Sequence, residues 1–312
     1  MNKFYILIVF FLLSIFIYVN NKTLAIEPAP GKNTKTKTKT KPEKTKEKTK
    51  EITKTEAKPE KTCSTPEEIY AKNKRLLCTN SKETINAEKL MSEAVTQLEH
   101  HATSKDGYKM HRWDSQLNNV LHKKKHGDTV VQKFYLIYYH SKMYNEIINM
   151  LWDPALANNF NNGEVERKVA RVYNPNLVII HQRYKNSFFG RWKYFYALAA
   201  KVEISKEKTI IVMASANIND GYPSKKEYKN KIIEKANSFK TDINSENDIR
   251  SGKLKKTFVN IAGYIIEKKQ NSVGITYLES IHGHISDYQD LIIEKALGNF
   301  FHYKKNQPYG QL

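Results

Sequence analysis

The sequence is poor in cysteine and lacks the motifs that are typical of metal centres and catalytic sites. It has two cysteines, Cys63 and Cys78, and neither belongs to a CxxC pair, which argues against metal and redox-catalytic roles for them. It has no phosphate-binding glycine loop, no nucleophile elbow and no paired carboxylates in distinct environments. We therefore expect neither an enzyme nor a protein with a cofactor.

Two histidine pairs are the strongest candidates for a metal site. His100 and His101 are adjacent, so they cannot share one face of a helix. His282 and His284 could share a face of a strand, but no carboxylate or cysteine stands at ligand spacing. We expect no metal.

Long apolar runs are confined to the beginning of the chain. Residues 4–19 are apolar but shorter than the roughly 20 residues that span a bilayer, and the small residues Thr23 and Ala25 follow them. This pattern predicts a cleaved signal peptide over residues 1–25 and a secreted protein. Residues 26–65 are rich in Lys, Thr, Glu and Pro and have almost no large apolar side chains, which predicts a disordered linker.

The predicted secretion affects how the two cysteines and the net charge are interpreted. In a secreted chain, Cys63 and Cys78 are candidates for one disulfide; two free thiols are the alternative, and the sequence does not decide between them. The formal net charge is +20, which raises nucleic acid as a partner. Secretion and the lack of zinc-finger, RNA-recognition or basic-zipper patterns argue against nucleic acid and favour transient contact with a phospholipid surface or an acidic partner. We expect a monomer.

Residues 66–312 predict a single α+β domain. The order is helix, three strands, helix, about six antiparallel strands and a long C-terminal helix. Thr65, Pro66 and Glu68 predict a capped start of the first helix. A charged insertion over 218–255 predicts a helix from Lys226 to Phe239, and Ser286 with Gln289 predicts the start of the last helix.

Several strands are apolar on both faces, and the stretch TFVNIAGYIIEKK (257–269) is the clearest case. Alternation places Phe258, Tyr264 and Ile266 on one face and Val259, Ile261 and Ile265 on the other, with a gap at Gly263. Such a sheet needs cover on both sides. Either side chains fill the space between the sheet and its cover, or the sheet and its cover enclose a cavity. Small residues beside tyrosine hydroxyls favour a pocket for an amphiphile.

Longer strings resemble a known family. The order of elements, with IINMLWDP, NIAGYIIEKK and VGITYLESIHGHI, resembles the START lipid-transfer domain. The strings MNKFYILIVFFLLSIFIYVNN, EEIYAKNKRLLCTN, LMSEAVTQLEHHATSKDGY and KYFYALAAKVEISKEKTIIVMASANI resemble the fam-a family of secreted malaria-parasite (Plasmodium) proteins, whose folded part is START-like. The resemblance covers residues 1–25 and about 66–302.

The resemblance implies a helix-grip fold, in which a curved antiparallel sheet wraps a long C-terminal helix and leaves a tunnel for one lipid. It implies non-enzymatic phospholipid transfer, with phosphatidylcholine as the ligand class, and secretion into the parasitophorous vacuole or export to the host erythrocyte. The rival hypothesis is a secreted surface protein that binds a host partner and keeps only a vestigial cavity. The insertion 218–255, or the loop before the last helix, would act as a lid.

A zwitterionic headgroup needs a cation for its phosphate and aromatic faces for its quaternary ammonium. For the phosphate, the candidates are Arg171 and Arg183, which sit among apolar neighbours on strands; arginines that face solvent are the alternative. The aromatic candidates, for which ordinary core packing is the alternative, are Trp192, Tyr194, Tyr196, Tyr264 and Tyr277. Gly263 would leave room for the ligand if it faces the tunnel; its face stays open, because a one-residue bulge would exchange the two faces of the strand.

Overall fold

The computed structural model describes residues 64–114, 119–160, 163–185, 190–224, 227–282 and 289–300. Contacts group Lys58–Leu312 into one compact unit that contains all the helices and strands named below. The buried apolar side chains form two hydrophobic cores, and both lie within this unit. We therefore expect the fragment 58–312 to fold by itself. None of the helices in the described part has the length and apolar character to cross a bilayer. The predicted signal peptide and nearly all of the predicted linker lie outside the described residues.

The helices are named in chain order: α1 (Pro66–Lys72), α2 (Ser81–Thr103), α3 (Tyr144–Trp152), α4 (Lys235–Ser238), α5 (Asn247–Arg250) and α6 (Gln289–Phe300). The capped start of α1 is confirmed. The hydroxyl of Thr65 accepts a hydrogen bond from the backbone N–H of Glu68 at 3.2 Å, and the Glu68 carboxylate accepts one from the backbone N–H of Thr65 at 2.9 Å. This is the predicted capping box, with Pro66 in the first turn.

Twelve strands are described: β1 (Lys109–Asp114), β2 (Asn119–His126), β3 (Thr129–Tyr138), β4 (Glu164–Asn174), β5 (Leu177–Lys185), β6 (Lys193–Ser205), β7 (Lys208–Ala214), β8 (Asn217–Asn219), β9 (Lys240–Asp242), β10 (Lys255–Lys256), β11 (Val259–Lys268) and β12 (Val273–Ile281). Nine of them form one antiparallel sheet in the order β1-β2-β3-β12-β11-β7-β6-β5-β4. Strand β10 pairs in parallel with the start of β6, and β8 pairs with β9. The predicted α+β class with a large antiparallel sheet is confirmed.

The sheet is covered on both faces, as the sequence predicts. We name the faces after the helices that pack on them. The α3 face carries Val178, Ile180, Ala197, Ala199, Ile211, Met213 and Tyr264. The α2 face carries Ile179, Leu198, Ile210, Val212, Ile265 and Leu278. Successive residues of one strand alternate between two separate cores, which explains why these strands lack a polar face.

Helix α6 provides part of the cover on the α3 face. Its Ile293, Ala296 and Leu297 are buried against β3 and the short helical segment Pro154–Phe160. The side-chain amide of Gln289 donates a hydrogen bond to the Phe160 carbonyl at 2.7 Å. The predicted helix start at Ser286 lies outside the described residues.

The insertion 218–255 packs on the α2 face, and its predicted helix over Lys226–Phe239 is wrong. Only Lys235–Ser238 is helical, and Lys226 lies outside the described residues. The cause is Asn230, whose side-chain oxygen accepts hydrogen bonds from the backbone N–H groups of Ile232 and Ile233, both at 3.0 Å. This local turn competes with helix formation. Ile233 is fully buried in the α2-face core, so the insertion is a structural layer and does not lie over the α3 face as a lid would.

Strand β11 is packed on both faces, but two of its predicted positions are wrong. A register shift between Val259 and Ile261 moves Val259 to the α3 face, together with Tyr264 and Ile266. Phe258 lies before this bulge and stacks on Tyr228, with ring centroids 3.7 Å apart.

The gap at Gly263 is a close approach between strands. Gly263 pairs with Val212 and Leu278, which both belong to the α2-face core. A Cβ atom at Gly263 would overlap the carbonyl oxygen of Ile211 and lie 2.9 Å from the Cα of Val212. The glycine therefore lets the β7 backbone pass close to β11, on the side away from α3.

Candidate functional site

Two small neighbouring cavities lie on the α3 face of the sheet. Their volumes are about 20 Å³ and about 40 Å³, and both are lined by Arg167, Met213 and Tyr264. Space of this size holds about one to three water molecules. The first cavity is otherwise mainly apolar, with α1, α3 and strands β4, β5, β6 and β7 as its walls, and the second continues towards Tyr277, Glu279 and Gln289.

Arg167 brings a positive charge into this region. It lies on β4 opposite Gln182 of β5, and its Nε donates a hydrogen bond to the Gln182 side-chain oxygen at 2.7 Å. Among the residues that the structure describes, no carboxylate forms an ion pair with it. Burial lowers the pKa of Arg167, although the neighbouring Tyr264 and Tyr277 oppose this shift.

The accessible surface of Arg167 is intermediate, yet protein surrounds its guanidinium. These two observations are compatible, because Arg167 lines the two enclosed cavities and also a more open cleft at the β4 edge, where part of the residue is accessible. A guanidinium stays charged inside a protein, and an uncompensated buried charge is costly. The guanidinium of Arg167 is therefore suited to bind an anion.

The far end of the second cavity carries a buried carboxylate among aromatic rings. Glu279 accepts hydrogen bonds from the hydroxyl of Tyr277 at 2.6 Å and from the side-chain amide of Gln132. The ring of Tyr277 lies 4.9 Å from that of Tyr264 and 5.2 Å from that of Phe134. Within the described residues, no Lys, Arg or His forms an ion pair with Glu279. Burial, followed by the charge of Glu279, raises the pKa of Tyr277, so its hydroxyl stays protonated and donates to the carboxylate.

The first cavity contains one more polar group without a partner. The indole N–H of Trp152 is buried and has no hydrogen-bond partner among the described residues. Buried polar groups are normally paired, so this donor suits an acceptor on a bound molecule. The site thus combines apolar walls with a cation, a carboxylate and a free donor.

Two of the residues predicted for the site lie in this region. Tyr264 lines both cavities and Tyr277 lines the second. The structure does not bring the other six together with them, because those six lie on or beside the α2 face. Their role in binding a lipid stays a prediction.

Both predicted arginines are held in ion pairs outside the cavities. Arg171 donates to the Glu83 carboxylate at 2.7 Å and to the Asp242 carbonyl at 2.7 Å. Burial acts to lower the pKa of Arg171, but the hydrogen bond and charge of Glu83 outweigh it and raise that pKa. Arg183 donates to Asp248 at 2.8 Å and to Glu246 at 2.5 Å. Neither arginine therefore has an unpaired charge to offer.

The remaining predicted residues pack into the α2-face core. The hydroxyl of Tyr194 donates to Asp220 at 2.9 Å, and the ring of Tyr196 stacks on His181 with centroids 4.6 Å apart. Trp192 packs at the margin of the same core. The Sγ of Cys78 lies 3.7 Å from the Asn80 carbonyl oxygen, and Cys78 forms no disulfide with any described residue. Cys63 lies outside the described residues, so the disulfide stays a prediction.

A β-bulge explains why sequence patterns selected Arg171 instead of Arg167. Strict alternation would place Val165, Arg167, Val169 and Arg171 on one face, but the register shifts between Val169 and Arg171 and turns Arg171 to the α2 face. Before the bulge, the alternation of Val165, Arg167 and Val169 indicates that Arg167 lies on the same buried face as the two valines. Alternation in ITYLESI would likewise have placed Glu279 beside Tyr277.

Comparisons with known proteins give the following similarities. No protein-family model matches the chain, and no curated protein matches it in sequence. Among solved structures, it is similar to human StAR-related lipid transfer protein 5, with a TM-score of 0.47 and 9% identity over 70% of this chain and 94% of that one. It is similar to human STARD10, with a TM-score of 0.45 and 12% identity over 67% of this chain and 78% of that one. A further similarity is to the lipid transfer and protein localization domain of human StarD13, with a TM-score of 0.41 and 12% identity over 66% of this chain and 95% of that one.

Proposed function

We propose that this protein is a non-enzymatic, START-like lipid-binding and lipid-transfer protein that takes a phospholipid on the α3 face of its sheet. The observation that carries the proposal is the Arg167 guanidinium, which lies in a mainly apolar cavity without a carboxylate partner among the described residues. The phosphate diester of a phospholipid would supply the missing charge. Gln182 would hold the guanidinium in place while its two terminal nitrogens bind the phosphate oxygens.

The second cavity favours a zwitterionic headgroup of the phosphatidylcholine class. The faces of Tyr264 and Tyr277 would contact the quaternary ammonium, and the Glu279 carboxylate would balance its charge. Arg167 and Glu279 would thus bind opposite ends of the same headgroup. The free N–H of Trp152 would donate a hydrogen bond to the carbonyl oxygen of an acyl ester, and the apolar walls of the first cavity would contact the acyl chains.

Uptake requires the cover of the α3 face to move. Ligand pockets usually measure about 300–1,000 Å³, which is far above the present volumes of about 20 and 40 Å³. Helix α6 makes few contacts with the strands, whereas the segment Pro154–Phe160 packs mainly on the edge strand β4; the bond from Gln289 to the Phe160 carbonyl joins the two. We propose that these two elements separate from the sheet when a lipid binds.

The test compares Arg167→Met with Arg75→Met in the fragment 58–312. Arg75 is exposed and lies outside the cavities, so it controls for the loss of one positive charge. Native mass spectrometry would measure bound lipid, and a vesicle assay would measure transfer of labelled phosphatidylcholine. We expect lipid and transfer with the wild type and with Arg75→Met, and at least about a tenfold loss with Arg167→Met. A wild-type fragment that neither carries nor transfers lipid would overturn the proposal.

The small cavity volumes favour one alternative, a secreted host-interaction protein with a vestigial cavity. In that case the purified fragment would hold no lipid and would bind a host component saturably. The resemblance to the fam-a family, secretion through the predicted signal peptide and a destination in the parasitophorous vacuole or host erythrocyte remain parts of the proposal. Detection of the tagged protein in infected cells would test them.

A further inference from the structure

A polar cleft of about 660 Å³ lies between the β4–β5 pair and the insertion. Its strand side consists of two cross-strand pairs, Lys168 with His181 and Glu166 with Arg183. Its other side is the part of the insertion that begins at Glu246 and continues into α5. Ligand sites usually measure about 300–1,000 Å³, so the cleft has the size of a binding site as it stands. We name it the β4–β5 cleft; the residues that matter below are Lys168, His181, Arg183, Glu246, Asn247 and Asp248.

His181 is a buried polar side chain without a hydrogen bond. It is 1% exposed, and its ring stacks on Tyr196 of the α2-face core, so the cleft lies on that face of the sheet. Its Nε2 is buried without a partner, and its Nδ1 lies 3.8 Å from Oε2 of Glu246, which is too far for a hydrogen bond. A phenylalanine could stack on Tyr196 without this cost in stability. The imidazole therefore indicates a role beyond packing.

The charged side chains of the cleft already balance one another. Glu246 forms ion pairs with Lys168 and Arg183, and Arg183 also binds Asp248 at 2.8 Å. Among the described residues, every side chain that lines the cleft is polar or charged, which does not suit an acyl chain. A charged ligand would have to compete with these ion pairs, whereas a neutral ligand can form hydrogen bonds with them and leave them intact.

The gap between His181 and Glu246 fits a hydroxyl group. The ring of His181 is neutral, because burial, followed by the charges of Lys168 and Arg183, lowers its pKa to about 3. A neutral imidazole has one donor and one acceptor, and the carboxylate of Glu246 favours the proton on Nδ1. An oxygen between the two groups must therefore accept from Nδ1 and donate to Glu246. A hydroxyl does both, whereas a phosphate or carboxylate only accepts and an ammonium only donates.

We propose that the β4–β5 cleft binds a neutral polyhydroxylated molecule, a sugar or a polyol, with one hydroxyl between His181 Nδ1 and Glu246. Neighbouring hydroxyls accept hydrogen bonds from Lys168 or Arg183 and donate to Asp248, so a ring with adjacent hydroxyls matches the alternating charges of the cleft. A free sugar and the carbohydrate of a glycoconjugate share this chemistry, and the experiment separates them. The cleft lies across the sheet from the α3-face cavities, so the proposal does not depend on the proposed lipid.

Saturation-transfer difference NMR on the fragment 58–312 tests the proposal. The probes are glucose, galactose, mannose, N-acetylglucosamine and myo-inositol, with inorganic phosphate and glycine as charged comparisons. We expect at least one neutral probe to bind saturably with a Kd of about 1 mM or tighter and to shift the ring resonances of His181. A glycan array then separates the sources. Binding to glycans assigns the cleft to glycoconjugates, and binding of the free probes alone assigns it to free sugars or polyols.

Two substitutions target the proposed hydroxyl contact, and each has a matched control. Glu246→Gln keeps the shape of the side chain without its charge; its control is Glu99→Gln on α2, where the carboxylate is also paired with a lysine. His181→Phe removes both ring nitrogens, with the surface variant His140→Phe as its control. Both cleft variants should bind the probe at least about tenfold more weakly, because hydrogen bonds to charged groups are the stronger ones and a buried donor is lost. The controls should bind like the wild type.

A third substitution tests the space itself without touching the hydroxyl contact. Asn247 lies on the exposed rim of the cleft, so Asn247→Trp should fill the cleft and abolish binding, with unchanged thermal melting. Asn247→Ala leaves the cleft open and should keep binding.

Three results would overturn the proposal. They are the lack of saturable binding by every neutral probe, tighter binding of phosphate or glycine than of every sugar and polyol, and equal binding by the wild type, Glu246→Gln and His181→Phe. The variant Glu279→Gln, which changes the α3-face cavities only, separates this proposal from the lipid proposal. It should bind the sugar or polyol normally whether or not it carries lipid.

Discussion

Arg167 and Gln182 face each other across the β4–β5 pair, and the Arg167 Nε donates to the Gln182 side-chain oxygen at 2.7 Å. The amide fixes the direction of the guanidinium but leaves its charge in place. A protein that needed only a filled core would be more stable with an apolar side chain here. The same cavity also holds the Glu279 carboxylate, so Arg167 and Glu279 place opposite charges along one wall of the site.

Replacing Arg167 by Met should leave the free energy of unfolding unchanged or raise it by about 1–4 kcal/mol, because an apolar side chain of similar size removes an uncompensated buried charge. Urea denaturation of the fragment 58–312, with Arg75→Met as the control, would measure the change. A loss of stability would instead assign Arg167 a structural role.

Replacing Glu279 by Gln should change headgroup preference. The amide keeps an acceptor for the Tyr277 hydroxyl but removes the negative charge near the proposed ammonium site. We expect binding of phosphatidylcholine to weaken about tenfold, while phosphatidic acid, which lacks the ammonium, should bind as well or better. Competition between the two lipids in native mass spectrometry would measure this; an equal effect on both would contradict it.

Replacing Gly263 by Ala should destabilise the domain by about 3 kcal/mol or more, because the new Cβ meets the backbone of β7, which cannot rotate away. Gly274→Ala is the matched control on the neighbouring strand. There the added Cβ would lie 2.5 Å from the hydroxyl of Tyr135, a side chain that can move, so the loss should be smaller. Thermal melting would compare them. Gly263→Leu should therefore prevent folding, and a folded Gly263→Leu variant would contradict this placement.

Acid should destabilise the domain through His181. Burial, helped by the charges of Lys168 and Arg183, lowers the pKa of His181 to about 3, against 6.5 in the unfolded chain. The unfolded state takes up this proton first, so stability is lost as the pH falls from about 6.5 towards 3. At pH 4.5 the loss should be about 2–3 kcal/mol.

The variant His181→Phe isolates this contribution, because phenylalanine can keep the stacking on Tyr196 without a proton to bind. It should lose less stability than the wild type between pH 7 and pH 4.5 in urea denaturation. His140→Phe, on the surface, should behave like the wild type in both conditions. A parallel loss in the wild type and His181→Phe would contradict the prediction.

Much of the architecture could be predicted because it depends on local patterns. The capping box at Thr65, the strand order along the chain and the two-sided apolar strands follow from neighbouring residues. The errors occur where one residue changes the register of those that follow. The bulge after Val169 places Arg171 on the face opposite Arg167, and the shift before Ile261 places Val259 on the face opposite Ile261. Asn230 interrupts a helical pattern through its turn with Ile232 and Ile233. Its side-chain amide also donates to the carbonyls of Ser215 and Asn260, which are distant in sequence and hold the side chain in place.

The division of the sheet into two cores has a consequence for cooperativity. Displacement of α6 and Pro154–Phe160 would expose side chains of the α3 face only, while the α2-face core would remain closed under α2 and the insertion. Strands β6, β7 and β11 contribute side chains to both cores, so the intact α2-face core would keep their backbone hydrogen bonds formed during the displacement. Amide protons of these strands should therefore exchange only through global unfolding, whereas those of α6 should exchange through a local opening of much lower free energy. One sheet would then act as a rigid wall for a movable cover, and the protein could open without beginning to unfold.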